Sequence, residues 1–183
     1  MHPNLAHVDQ AFLLVVDLQE TYRDKLHEWE RTIDRSCVLI RAAQLLELPI
    51  FCTEQYPRGL GHTAPEVANA LGGARVYEKR TLSVLGAAGL PEEILAWGRR
   101  HAIVCGIETH ACINNSVHDL LEWGMTVHLP KDAMSSRHAS DHELGYQKML
   151  ASGALCGSVE SVLLECLRTA DHPAFKSVQG LLR

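Results

Sequence analysis

The stretch 105–114 contains Cys112, the residue best placed for covalent chemistry. A run of strand-forming residues stops at Gly106, turn residues follow, and apolar residues spaced for one helical face begin at Ile113. Cys112 is therefore expected where a strand has ended and a helix is starting. The free N–H groups of a helix start stabilise a thiolate, which is the nucleophilic form of cysteine, and can hold an oxyanion. This stretch thus offers a nucleophile and a place for the charge that its attack creates.

Asp17 and Lys79 could supply the proton transfer that this thiol needs. Asp17 follows the apolar run 12–16, and Lys79 follows the short strand pattern 75–78. A carboxylate can take a thiol proton and later return it to a leaving group. A buried carboxylate needs a partner, and the Lys79 ammonium would be one. On position alone, it is equally open that Asp17 caps a turn and Lys79 is a solvated surface side chain.

Strand patterns alternate with helix patterns along the chain. Strands are predicted at 12–16, 49–53, 75–78, 101–105, 125–129 and 154–156, and helices at 32–48, 91–100, 113–123, 140–151, 158–169 and 174–182, with a short helix after Pro65. Residues 54–63 read as a binding loop, and Ser140 with Glu143 reads as a capping box.

This alternation predicts a single α/β domain over 1–183. The expected architecture is a three-layer α/β/α sandwich with a six-stranded, mainly parallel, doubly wound (Rossmann-like) sheet. Ligands of such sheets bind beyond the carboxyl ends of the strands. Asp17, Glu54, Lys79 and Cys112 all follow predicted strand ends, so we expect them to lie near one edge of the sheet.

Composition and charge narrow the range of partners. The chain has 183 residues with net charge −5 and no Lys/Arg cluster, which argues against a nucleic-acid partner. No apolar run approaches the roughly 20 residues that span a bilayer, and the polar start does not resemble a signal peptide. Six cysteines form no C-x-x-C pair, so we expect reduced thiols in a cytoplasmic protein.

Four short motifs resemble those of the isochorismatase-like cysteine hydrolase superfamily. They lie at 15–19, 78–81, 106–112 and 132–137, and the resemblance extends over 12–182. The segments 53–61 and 172–176 are most similar to the isochorismatase-domain-containing branch of that superfamily.

The resemblance implies a catalytic triad of Asp17, Lys79 and Cys112. It also implies a cis peptide bond between Ile107 and Glu108, and an oxyanion hole made by the backbone N–H groups of Glu108 and Cys112. The implied activity is hydrolysis of a small amide or related acyl C–N compound through a thioester, and homo-oligomers are common in the family. Members often have Thr or Ser where this chain has Glu108, whose carboxylate either points away from the anion or shapes the pocket.

The small-molecule pocket is expected to draw on residues that follow strand ends or lie near the triad: Gln19, Tyr22, Gln55, Tyr56 and Leu82. No metal or other cofactor is expected. Metal-dependent nicotinamidases place Asp-x-His after the second strand, where this chain has residues 53–56. His138 and His142 are expected on a solvated face or at a helix start, and His110 is expected to pack or to lie in an interface.

Two other functions remain open. The protein could be a catalytically weak family member that binds a metabolite or a protein partner, as the unusual Glu108 and the loop 54–63 would allow. A nucleotide-binding Rossmann module is disfavoured, because the turn 17–20 has no glycine to admit a pyrophosphate.

Overall fold

In a computed structural model, which describes residues 2–183, a parallel β-sheet is covered by helices on both faces. The strands are β1 (Ala11–Val16), β2 (Ile50–Gln55), β3 (Val76–Lys79), β4 (His101–Ile107), β5 (Thr126–Pro130), β6 (Met134–Ser135) and β7 (Leu155–Gly157). Their order is β3-β2-β1-β4-β5-β7, β6 pairs with β4, and every pairing is parallel. The predicted α/β fold is confirmed. The additional strand β6 has two residues, too few to show a sequence pattern.

The helices divide between the two faces of the sheet. They are α1 (Trp29–Leu45), α2 (Pro57–Leu60), α3 (Pro65–Leu71), α4 (Leu90–Trp97), α5 (Asn114–Glu122), α6 (Ala139–Ala151), α7 (Val159–Leu167) and α8 (Phe175–Leu181). Leu13 and Val15 of β1 pack with α1, α3, α7 and α8, whereas Phe12, Leu14 and Val16 pack with α4, α5 and α6. Burial on both faces explains why β1 is continuously apolar. None of these helices is long and apolar enough to cross a membrane.

Two local predictions were wrong. The segment 54–63 is not all loop, because β2 continues to Gln55 and α2 forms one helical turn. Ser140 does not cap α6, which begins at Ala139, and the carboxylate of Glu143 instead accepts hydrogen bonds from Lys131 and Gln147.

Gly106 allows the carboxyl ends of the two central strands to meet. It pairs with Val16 and has a φ of 120°. A Cβ at this position would lie 2.1 Å from the Val16 carbonyl oxygen, so neither the backbone angle nor the spacing admits a side chain. This contact brings the turn after β1 next to the turn after β4.

Three histidines form a buried cluster at the opposite, amino-terminal end of β4. His101 Nδ1 lies 3.0 Å from His128 Nε2, and the ring of His7 packs edge-on against that of His101. Burial, followed by the influence of His101 and His7, lowers the pKa of His128 to about 4. Glu165 Oε2 is 3.9 Å from His128 Nδ1, too far for a hydrogen bond, and accepts the N–H of Ala6 instead.

This cluster predicts a loss of stability in mild acid. Below about pH 6.5 the unfolded chain protonates a histidine that stays neutral in the fold, so stability falls as the pH drops towards about 4. The full effect for His128 alone would be about 3 kcal/mol. Urea unfolding measured between pH 7 and pH 4.5 should show this slope, and His128→Gln should flatten it. An unchanged slope in His128→Gln would contradict the assignment.

Candidate active site

Asp17 directly follows β1 and has a backbone conformation that few residues adopt. Its φ is 52°, in the left-handed region that Asp tolerates better than most side chains, and its N–H donates to the carbonyl of Thr53. The side chain is almost fully buried, and the Thr53 hydroxyl donates to Oδ1 at 2.7 Å. The turn after β1 therefore holds the carboxylate in a fixed position beside β2.

Lys79, the last residue of β3, is the ionic partner of Asp17. Its Nζ lies 2.7 Å from Asp17 Oδ2 and donates to Gln55 Oε1 at 2.6 Å. It also donates to the carbonyls of Thr81 at 3.2 Å and Leu82 at 3.3 Å. Because the Lys79 side chain is 0% exposed and Asp17 is 3% exposed, Lys79 is not a solvated surface residue.

Cys112 lies in a single π-helical turn, Thr109–Ile113, which precedes α5. Its Sγ is 4.0 Å from Gln55 Oε1, the oxygen that also accepts from Lys79. Burial, reinforced by the charge of Asp17 and opposed by that of Lys79, raises the pKa of the Cys112 thiol to about 12. This raised pKa opposes the stabilisation of a thiolate that a helix start provides, so attack by Cys112 requires a base that takes its proton.

The side chains of Ser116 and His142 fix the turn that carries Cys112. The Ser116 hydroxyl donates to the Cys112 carbonyl at 2.6 Å and accepts the N–H of Val84 at 3.0 Å. Behind the turn, His142 Nδ1 lies 2.8 Å from the Thr109 hydroxyl. Of the two places expected for His142, it occupies the helix start, near the beginning of α6, and not a solvated face. Burial lowers its pKa to about 4.

His110 and His138 lie in different segments: one is in the turn that carries Cys112 and the other precedes α6. His110 Nδ1 lies 3.0 Å from the Ser136 hydroxyl, while His138 precedes α6 and is exposed. Within residues 2–183, no group of three or more His, Cys, Asp or Glu side chains is arranged to hold a metal ion.

Glu108 directs its carboxylate to Arg137. The peptide bond between Ile107 and Glu108 is cis. Glu108 Oε2 accepts the backbone N–H of Arg137 at 2.9 Å and its Nε at 3.0 Å, and the carboxylate is largely buried. The side chain thus ties the turn after β4 to the segment that follows β6.

The residues predicted to line the pocket have different positions. Tyr56 lines a cavity of about 530 Å³, and Gln55 contacts both Lys79 and Cys112. Tyr22 is partly exposed, and burial, followed by the charges of Glu108 and Cys112, raises its pKa. Leu82 contributes a carbonyl to Lys79, but its side chain is exposed away from the cavity.

Gln19 was placed wrongly in the pocket. It is fully buried, its amide nitrogen donates to the carbonyls of Gln55 and Gly61, and its oxygen accepts the N–H of Gln55. All of these bonds are to the backbone, so Gln19 fixes the end of β2. Glu54 is also turned away from the triad, since its carboxylate accepts from Thr63.

The isochorismatase domain model matches residues 11–161 of this chain. The chain belongs to the isochorismatase family. Isochorismatase domain-containing protein 2 of Danio rerio is 36% identical over 173 residues, which cover 94% of this chain and 86% of that protein.

Two solved structures share the fold of this isochorismatase-family protein. A Caenorhabditis elegans protein described as MAR1 ribonuclease is 35% identical, with a TM-score of 0.90 over 97% of this chain and 92% of that chain. The Escherichia coli YcaC gene product, described as an octameric hydrolase of unknown specificity, is 18% identical with a TM-score of 0.85 over 97% and 94% of the two chains. At that identity YcaC shows the shared fold.

Proposed function

We propose that residues 1–183 form one hydrolase domain that cleaves a small amide or related acyl C–N compound through Cys112. The observation that carries this proposal is the buried Lys79–Asp17 pair, connected to the thiol through Gln55. A protonated thiol beside a fixed carboxylate has the two components needed for attack assisted by a general base.

In the first half of the reaction, Asp17 takes the Cys112 proton as sulfur bonds to the substrate carbonyl carbon. The carbonyl π electrons move to oxygen, and the backbone N–H groups of Glu108 and Cys112 hold the resulting oxyanion. When the oxyanion collapses, the C–N bond breaks and Asp17 gives its proton to the departing nitrogen. The products are an amine and an acyl thioester on Cys112.

In the second half, water resolves the thioester. Asp17 takes a proton from water as the water oxygen bonds to the acyl carbon, and the C–S bond then breaks. Sulfur recovers the proton from Asp17, and a carboxylic acid leaves. The net reaction consumes one amide and one water and yields one acid and one amine. Lys79 keeps the carboxylate in place through both halves.

Two alternatives make different predictions. A binding protein would hold a small molecule without turnover. A ribonuclease, the activity given in the description of the Caenorhabditis elegans relative, would cleave RNA. The net charge of −5 and the buried thiol favour acyl chemistry over binding a polyanion.

Product release from a substrate panel tests the proposal. Ammonia release from small primary amides is measured beside cleavage of single-stranded RNA, with Asp17→Asn as the comparison protein. We expect amide cleavage that Asp17→Asn lacks and no RNA cleavage above that of Asp17→Asn. RNA cleavage that depends on Asp17, without amide turnover, would overturn the proposal.

We also propose that copies of this chain associate and act in the cytoplasm. The octameric Escherichia coli YcaC gene product, which shares this fold, supports association. Leu95 and Trp97 of α4 and Leu144 of α6 are exposed apolar side chains that such a contact would cover. All six cysteines are free, which suits a reducing compartment.

A further inference from the structure

A cavity lies beside Lys79, and the roles proposed for Asp17, Lys79 and Cys112 do not use it. It has a volume of about 530 Å³ and lies between the end of β3 and α2. Its charged lining residues other than Lys79 are Arg58, Glu78 and Arg80, and Tyr56 is its aromatic side chain. Asp17 and Cys112 do not line it, and the Lys79 side chain is 0% exposed, so the cavity neighbours the thiol without containing it.

The Arg80 guanidinium lies over the Tyr56 ring. Arg80 Cζ lies 4.4 Å from the centroid of the Tyr56 ring, a cation–π distance. The Tyr56 N–H donates to the carbonyl of Lys79, and Gly59 packs so closely on the ring that a Cβ there would lie 2.3 Å from Tyr56 Cε1. The Arg80 carbonyl accepts from Gln55 Nε2 at 3.1 Å, which joins this cavity to the side chain that contacts Cys112.

The charges in this cavity are not balanced. Lys79 is neutralised by Asp17. Over residues 2–183, neither Arg58 nor Arg80 forms an ion pair with a carboxylate, and Glu78 is the one acidic side chain in the lining. Two guanidinium groups against one carboxylate leave a positive cavity in a chain of net charge −5. A concave wall of one sign raises the local concentration of the opposite charge.

We propose that this cavity is an anion subsite, where Arg58 and Arg80 bind a carboxylate or phosphate group of the substrate. This inference rests on the proposed function for the identity of the reacting group. The planar guanidinium matches both oxyanions through paired N–H donors. Cys112 Sγ is 4.0 Å from Gln55 Oε1, and Gln55 Nε2 donates to the carbonyl of Arg80 at 3.1 Å, so the Gln55 side chain lies between the thiol and this lining residue. The anionic group therefore lies several bonds from the carbonyl that is attacked.

Direct binding tests the subsite without any turnover. Glutarate and inorganic phosphate are titrated separately into the intact protein by calorimetry, at low and high salt. We expect at least one of them to bind, more weakly at high salt, and the tighter of the two identifies the substrate group. Arg58→Gln and Arg80→Gln should each weaken binding about 10-fold, and Glu78→Gln should strengthen it. Arg168, at the end of α7, does not line the cavity, so Arg168→Gln should leave binding unchanged.

The inference is overturned if neither anion binds, or if Arg58→Gln and Arg80→Gln bind as the parent protein does. A kinetic arm separates this failure from failure of the proposed function. Glutaramate carries the anion and glutaramide is its neutral counterpart, so Arg80→Gln should raise KM for glutaramate and leave that for glutaramide unchanged. Anion binding without cleavage of either amide would preserve the subsite and refute the hydrolase. Cleavage of both amides with equal KM, unaffected by Arg80→Gln, would support the hydrolase and refute the subsite.

Discussion

Cys112→Ser is expected to lower the rate of amide cleavage by at least about 10³-fold while leaving the fold intact. A hydroxyl is a much weaker acid than a thiol, so Asp17 cannot deprotonate serine as the carbonyl is attacked. Burial raises the pKa of Cys112 to about 12, so attack by sulfur itself depends on a base. Steady-state kcat, measured on the best amide of the panel, reports the loss.

A matched control distinguishes the nucleophile from a general effect of removing sulfur. Cys156 is exposed in β7, so Cys156→Ser should keep the parent rate. Equal rates for Cys112→Ser and the parent protein would show that sulfur does not attack the substrate.

Lys79→Met is expected to destabilise the fold by about 3–5 kcal/mol, because it leaves a buried carboxylate without its cation. Lys79 and Asp17 are 2.7 Å apart, with almost no exposed surface on either side chain, so water cannot replace the lost partner. Urea unfolding near pH 7 gives the change in free energy. The double variant Asp17→Asn with Lys79→Met should lose less than the sum of the single variants, because it removes both charges together.

A surface lysine provides the comparison for this measurement. Lys148 is exposed on α6, and Lys148→Met should shift the unfolding free energy by under about 0.5 kcal/mol. If Lys79→Met unfolds like Lys148→Met, the ion pair does not hold the site together.

The sequence predicted that Asp17, Lys79 and Cys112 lie close together, because a parallel sheet brings its strand ends together. Asp17 ends the first apolar run, Lys79 ends a short strand and Cys112 follows the fourth strand, so strand order alone placed them at one edge. The alternation of strand and helix patterns was likewise sufficient for the α/β fold.

Errors around β2 came from ending that strand at Thr53. The strand continues to Gln55, and alternate side chains of a strand face opposite sides. Thr53 and Gln55 therefore contact Asp17 and Lys79, while Glu54 points away to Thr63. With the strand ended early, this alternation could not be applied, and Thr53 was not assigned a role.

Other supporting residues had no local signal at all. Ser116 contacts the N–H of Val84, and His142 contacts Thr109, across separations of 32 and 33 residues. Serine, threonine and histidine occur at many positions without such partners, so these contacts depend on tertiary packing. The raised pKa of Cys112 is of the same kind, because burial at this site outweighs the effect expected from a nearby helix start.

The mass of the enzyme during turnover tests the central claim most directly. The protein is mixed with a cleavable small amide, quenched in acid within the first turnovers, digested and analysed by mass spectrometry. We predict that the peptide containing Cys112 gains the mass of the acyl group, on sulfur, and that the gain disappears once substrate is exhausted. Turnover during which this peptide stays unmodified, with the acyl group on another side chain, would contradict the account.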